Sequence, residues 1–232
     1  MATHLRITSA GDAAILAELS DSEHDREVDL DVNARAIALA AAVLEFGVSG
    51  VLDVVPAFRT VGVYFDPFQV DRDRVTGLVQ EAYTCLTDVS FAIEGTLHRI
   101  PVCYGGSFGP DLAEVATAAR LTEDAVVSAH SRSIQHVFML GFMPGFAYMG
   151  PLDPAIAIGR RETPRTSVPA GSVAVANGQT GIYPAAGPGG WQLIGRTWIK
   201  PFDQDRAEPL LFKAGDRVQF YPVPADAFGK GL

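Results

Sequence analysis

Cysteine is scarce: Cys85 and Cys103 are the two in 232 residues. Two thiols in a chain this long make no disulfide framework, so a reducing cytoplasm is the expected setting. Positive charge is short as well, with 18 Lys and Arg against 27 Asp and Glu and a net charge of −9. An acidic chain with no basic stripe argues against nucleic acid and anionic membrane as partners. Long apolar runs are missing. The most apolar stretch, Ile37 to Val55, is broken by Glu45, Gly47, Gly50 and Asp53, too often to span a bilayer. Met1 to Arg6 leads into no apolar leader core. No G-x-x-x-x-G-K-[ST] phosphate loop occurs, and Gly187-Pro188-Gly189-Gly190 is followed by neither Lys nor a helix pattern. The five histidines, His4, His24, His98, His130 and His136, are not spaced as metal ligands, so no metal is expected for this chain.

What is present is unevenly distributed. Of 15 prolines, 13 fall at or after Pro101, and of 23 glycines, 17 fall at or after Gly105. The turn-poor part, residues 1–92, reads as a small α+β domain in the order β-β-α-β-β-α. Ala13 to Leu19 is strand-like. The acidic cluster Asp21, Glu23, Asp25, Glu27, Asp29 and Asp31 suits a solvated loop and a helix N-terminus, not a calcium loop. Val32, Ala36, Leu39, Ala40 and Val43 predict one amphipathic helix, and Val75, Leu78, Val79, Ala82, Tyr83 and Leu86 a second, with Asp71 or Asp73 as its cap. Val51–Val55 and Val61–Phe65 predict strands around a turn at Pro56. Residues 93–232 predict a mainly-β barrel or sandwich. Its strands are expected at His98–Val102, Val137–Leu140, Gly171–Ala176, Gln192–Ile194, Thr197–Lys200 and Arg217–Tyr221, with two short helices capped by Asp111, with Glu114 as its capping-box partner, and by Thr122.

Few residues offer chemistry. Gly105-Gly106-Ser107-Phe108-Gly109 fits G-x-S-x-G, but Pro110 and Asp111 delay the helix that a nucleophile elbow needs, and no triad partners follow at a credible spacing. His130 reads either as a helix C-terminal cap or as a general acid/base. Its neighbour His136 reads as packing. Arg165, in the stiff Pro164-Arg165 turn, reads either as a bidentate anion receptor or as a salt-bridge partner inside the barrel. Gln179 and Thr180, flanked by Gly178 and Gly181, offer neutral hydrogen bonds where a backbone can come close. Trp191 follows Gly189-Gly190 and would stack on a ligand or fill the core. Phe142 and Phe146 flank the Pro144-Gly145 turn as partner anchors or as a plug for the barrel end.

The order of these motifs carries a resemblance. It begins at Gly11-Asp12-Ala13-Ala14 and continues with Pro101-Val102-Cys103-Tyr104-Gly105-Gly106 and Gly109-Pro110-Asp111-Leu112. It then takes in Gly141-Phe142-Met143-Pro144-Gly145-Phe146, Val168-Pro169-Ala170-Gly171 and Gly187-Pro188-Gly189-Gly190-Trp191, and ends at Ala214-Gly215-Asp216-Arg217-Val218. So ordered, the chain resembles the family of the 5-oxoprolinase component PxpB, Kip-type histidine-kinase inhibitors and allophanate hydrolase subunit 1. It departs from the family pattern at Met143, Ala147 and Ala176-Asn177. The resemblance implies a cyclophilin-like barrel for residues 93–232 and a subunit that is inactive alone. Its implied enzyme opens 5-oxo-L-proline to L-glutamate with ATP and Mg²⁺ in the assembled complex. The implied partners are a carboxyltransferase-like larger subunit (PxpC-type) and a lactam-utilisation subunit (PxpA-type). The residues themselves suggest a substrate or partner cleft of Phe142, Pro144, Phe146, Arg165, Gln179, Thr180, Gly189, Gly190 and Trp191, composite with the larger subunit, with His130 and Arg165 as catalytic candidates. Inhibition of a sensor kinase and hydrolysis of an allophanate-type amide are the other functions the family offers.

Overall fold

The computed structural model describes residues 4–20, 28–86 and 95–229. Most of the acidic cluster, from Asp21 to Glu27, lies outside the described residues. The chain divides into two compact units, Met1–Glu94 and Gly95–Leu232. No helix among the described residues is long and apolar enough to cross a membrane.

The first unit is an antiparallel sheet in the order β1-β2-β4-β3, with β1 His4–Ser9, β2 Ala14–Ser20, β3 Val51–Pro56 and β4 Thr60–Phe65. Helices α1 (Leu30–Glu45) and α2 (Arg72–Cys85) pack on the sheet. Alternation along β2 and β4 sends Ile15, Ala17, Leu19, Val61, Val63 and Phe65 into one core with Leu39 and Val43 of α1 and Leu78 and Val79 of α2. Both helices start at aspartate caps. The Asp29 carboxylate accepts from the N–H groups of Asp31 and Val32 at 2.8 and 3.1 Å, and that of Asp71 from Arg74 at 2.7 Å. Asn33, 1% exposed, ties α1 to the β3–β4 turn by donating to the Ala57 and Phe58 carbonyls.

In the second unit, seven strands close into a barrel in the order β10-β7-β6-β13-β5-β12-β9. These are β5 Leu97–Tyr104, β6 Gln135–Leu140, β7 Ala147–Gly150, β9 Ser172–Ala176, β10 Gln179–Ile182, β12 Gln192–Arg196 and β13 Arg217–Pro222. A separate pair, β8 (Arg165–Val168) and β11 (Gly187–Gly189), lies outside that ring. Helices α3 (Leu112–Ala119) and α4 (Glu123–Arg132) join the barrel core through Leu112, Val115, Val126 and Ala129. Strand β9 is buried along its whole length. Val173 and Val175 face that core, while Ala174 and Ala176 face a second cluster with Phe146, Val168, Tyr183, Trp191 and Leu193.

Four expectations from the sequence are corrected. Thr197–Lys200 is not a strand. Ile199 N–H bonds the Thr197 hydroxyl at 3.2 Å, and Pro201 follows at once, so the chain leaves the ladder. Gln179 and Thr180, expected to offer hydrogen bonds at a close backbone approach and not among the expected strands, lie in barrel strand β10, paired with β9 from Gln179↔Ala176 to Ile182↔Val173. Arg165 is not in a free turn but opens β8 opposite Gly189. Asp111 precedes α3 without capping it through its side chain, because that carboxylate is engaged elsewhere.

Candidate functional site

The loop joining β6 to β7 is Gly141 to Phe146. Gly141 N–H bonds the Phe146 carbonyl at 3.0 Å, and Phe146 N–H bonds that of Met143 at 3.0 Å. This turn buries Phe146 to 2% exposure and leaves Phe142 60% exposed. Phe142 has φ 68°, a left-handed conformation that costs a bulky residue about 1–3 kcal/mol. Phe146 is the hub of an edge-to-face aromatic group. Its ring centroid lies 5.0 Å from Tyr148, 5.3 Å from Tyr183, and 5.5 Å from both Phe142 and Trp191.

Against this group lies a cleft of about 290 Å³, lined by Phe142, Phe146, Tyr148, Arg160, Pro164, Tyr183, Pro188, Gly189, Gly190 and Trp191. The floor is tight. A Cβ on Gly189 would run into the Tyr183 ring, which is why β11 carries glycine there. Burial pushes the Tyr183 phenol up, opposed by the Trp191 backbone N–H and by Arg160 and Arg165. Burial also raises Tyr148, again opposed by Arg160. Both phenols are neutral hydrogen-bonding groups at neutral pH.

Beside the cleft, Asp111 gathers two guanidinium groups. Arg165 donates to its two oxygens at 2.9 and 2.6 Å, Arg161 donates at 2.9 Å, and the Leu193 N–H donates at 2.7 Å. Four bonds fill the four lone-pair directions of a carboxylate that is only 2% exposed. Of the two readings of Arg165, the internal salt bridge is the one observed. Its fork is spent on Asp111 and holds β8 to the segment that starts α3.

His130 is fully buried inside the barrel, and neither of its nitrogens caps α4. Its Nδ1 lies 2.7 Å from the Tyr104 hydroxyl and its Nε2 lies 2.8 Å from Thr180 Oγ1. Thr180 donates its only hydroxyl hydrogen to the Ala174 carbonyl at 3.0 Å. It must then accept from His130 Nε2–H, which leaves Nδ1 to accept from the Tyr104 hydroxyl. Burial holds the imidazole pKa near 3 and pushes the Tyr104 phenol up. The chain Tyr104–His130–Thr180–Ala174 is therefore a neutral, satisfied network in the core.

The nine residues assigned to one cleft thus separate. Phe142, Phe146, Gly189, Gly190 and Trp191 line it together. Pro144 lines a neighbouring apolar depression of about 660 Å³ with Phe142, Met143, Phe202 and Leu210. Arg165 is paired with Asp111, Thr180 faces the core, and Gln179 is half-buried in β10 outside the cleft lining. Sequence reasoning passed over Arg160, Tyr148 and Tyr183. Tyr148 stands two residues after Phe146 and Tyr183 two after Gly181, both beside motifs already singled out. Arg160 stands in the stretch between the short 3-10 turn Pro154–Ile156 and β8, with nothing periodic to mark it. Ser107 is exposed, and the His130 nitrogens that a nucleophile would need are both taken.

The chain as a whole matches a known family. The family model described as "Carboxyltransferase domain, subdomain C and D" matches residues 5–212, and the chain belongs to that family. The 5-oxoprolinase B subunit of Bacillus subtilis (strain 168) is 36% identical, over 96% of this chain and 95% of that one. That of Haemophilus influenzae is 42% identical, over 73% of this chain and 78% of its own. The crystal structure of TTHA0988 superposes with a TM-score of 0.78 at 35% identity over 92% of this chain, which spans 40% of that longer chain. Within the carboxyltransferase family, the particular group to which the chain belongs is therefore that of the 5-oxoprolinase B subunits.

Proposed function

We propose that this chain is the PxpB-type component of an ATP-dependent 5-oxoprolinase and is inactive by itself. The observation that carries this reading is the identity of 36% to the Bacillus subtilis protein, running nearly end to end in both chains. In the reaction, water adds across the lactam C–N bond of 5-oxo-L-proline to give L-glutamate, with ATP hydrolysis driving the step. The sequence contains no phosphate loop, and among the described residues the cleft lining holds no carboxylate or imidazole; ATP and Mg²⁺ are assigned to the assembled enzyme. The assembly would bring a carboxyltransferase-like larger subunit (PxpC-type) and a lactam-utilisation subunit (PxpA-type), in the cytoplasm. The closed barrel is read as cyclophilin-like, and no prolyl isomerase activity follows from that.

The test is co-expression of the three subunits and an assay of ATP-dependent glutamate release from 5-oxoproline. Release that disappears when this chain is left out is the expected result. A stable three-subunit complex that leaves 5-oxoproline untouched would refute the reading.

A further inference from the structure

Three arginines stand within six residues: Arg160, Arg161 and Arg165. Two are committed. Arg161 and Arg165 both bind Asp111, at 2.9 and 2.6 Å. Arg160 takes part in no ion pair among the described residues, is exposed, and lines the aromatic cleft. Its position is set by its neighbour. Arg161 is pinned twice, through its N–H to the Gly190 carbonyl at 2.8 Å and through its guanidinium to Asp111. With Arg161 anchored beside the cleft, the preceding residue is held at the cleft mouth. Its charge is felt by both phenols in the wall, opposing the rise that burial imposes on Tyr148 and Tyr183.

We infer that Arg160 is the carboxylate receptor of the cleft, and that the cleft binds a small cyclic carboxylate with its ring against Trp191 and Phe142. Three observations set the ligand class. The volume of about 290 Å³ is at the small end for ligand clefts and suits one substituted ring. The walls are aromatic faces and edges, which suit a flat ring. The neutral Tyr183 hydroxyl, which accepts from the Trp191 N–H, keeps its own hydrogen to donate to an amide carbonyl, and a single uncommitted guanidinium offers a fork to one carboxylate. The identification of that ligand as 5-oxo-L-proline rests on the functional reading above; the assignment of Arg160 to a carboxylate does not.

The experiment has two readouts on the same variants, Arg160→Ala and Arg160→Lys. The first is calorimetric binding of 5-oxo-L-proline and of 2-pyrrolidone, the same lactam without its carboxylate, to the full chain alone and in the three-subunit complex. The second is KM and kcat of the complex. Arg160→Ala is expected to weaken 5-oxoproline binding, and to raise KM, by about ten- to a hundredfold. Binding of 2-pyrrolidone should stay as it was, and Arg160→Lys should recover part of the loss. Unchanged KM and binding in an active complex would overturn the Arg160 assignment and leave the 5-oxoprolinase reading standing. Arg160-dependent binding of 5-oxoproline in a complex without turnover would support the assignment and sink the 5-oxoprolinase reading. Absence of 5-oxoproline binding to both chain and complex would overturn the ligand identification; if other small cyclic carboxylates also fail to bind, the Arg160 assignment falls with it.

Discussion

A histidine with no exposed surface and both nitrogens bonded is a liability in acid. Folded, His130 is neutral with a pKa near 3; unfolded, it returns to the ordinary value of 6.5. Between those two values the unfolded chain holds a proton that the folded chain does not. Stability is therefore complete above about pH 6.5 and falls as pH drops toward 3, by up to about 1.4 kcal/mol per pH unit from this one group. His136, also lowered by burial and by Arg217, acts in the same direction. His130→Gln carries no titrating ring. It should be less stable than the parent at pH 7.5, and the gap should narrow steadily down to pH 4.5. Urea midpoints of the two proteins across that range measure it, and parallel curves would show that the buried imidazole is not the cause. The sequence pointed to His130 but not to its role. A histidine near the end of a helix reads as a cap or a catalyst, and only the folded barrel, which brings Tyr104 and Thr180 onto its two nitrogens, makes it a core residue.

At the scale of elements, the helices were legible because each carries its own signal. An apolar stripe at helical spacing and an aspartate at the start are enough to place α1 and α2. The strands of the second unit were less so. Strands β10 and β11 contain Gly181, Gly187, Pro188 and Gly189, which in sequence mark turns, and they are strands because β9 and β8 pair with them. The same tertiary cause explains the G-x-S-x-G run. Gly105 N–H bonds the Ile194 carbonyl at 3.1 Å and Asp111 N–H that of Leu193 at 2.9 Å, so the turn from β5 to α3 straddles β12. A Cβ on Gly109 would overlap the Ile194 carbonyl carbon and oxygen. Because that obstacle is backbone, Gly109→Ala should cost at least the roughly 1–3 kcal/mol of an overpacked core, seen as a lower thermal midpoint. Ser107→Ala should leave both the midpoint and the turnover of the complex within error. Loss of turnover in Ser107→Ala, with folding intact, would restore the nucleophile-elbow reading that the geometry opposes.

At the scale of the whole molecule, the two compact units have cores with no residue in common. One is built from Ile15, Leu39, Phe65 and Leu78, the other from Ile100, Val137, Met149 and Phe220. The proline and glycine imbalance reflects this division, since a closed barrel of short strands needs many turns and a four-stranded sheet under two long helices needs few. A unit of residues 1–94 is within the size range of independent domains, and so is one of residues 95–232. Each should then fold when expressed alone, and the two should melt separately in the intact chain. The sequence supplies its own probe: the only two tryptophans, Trp191 and Trp198, both lie in the second unit. Tryptophan fluorescence therefore follows the barrel, while far-ultraviolet circular dichroism follows both units. Independent units predict a dichroism transition with a component that fluorescence does not see, and that component should match the melt of the isolated 1–94 fragment. Coincident transitions by both probes, together with an unfolded 1–94 fragment, would mean that the first unit depends on the second for its stability.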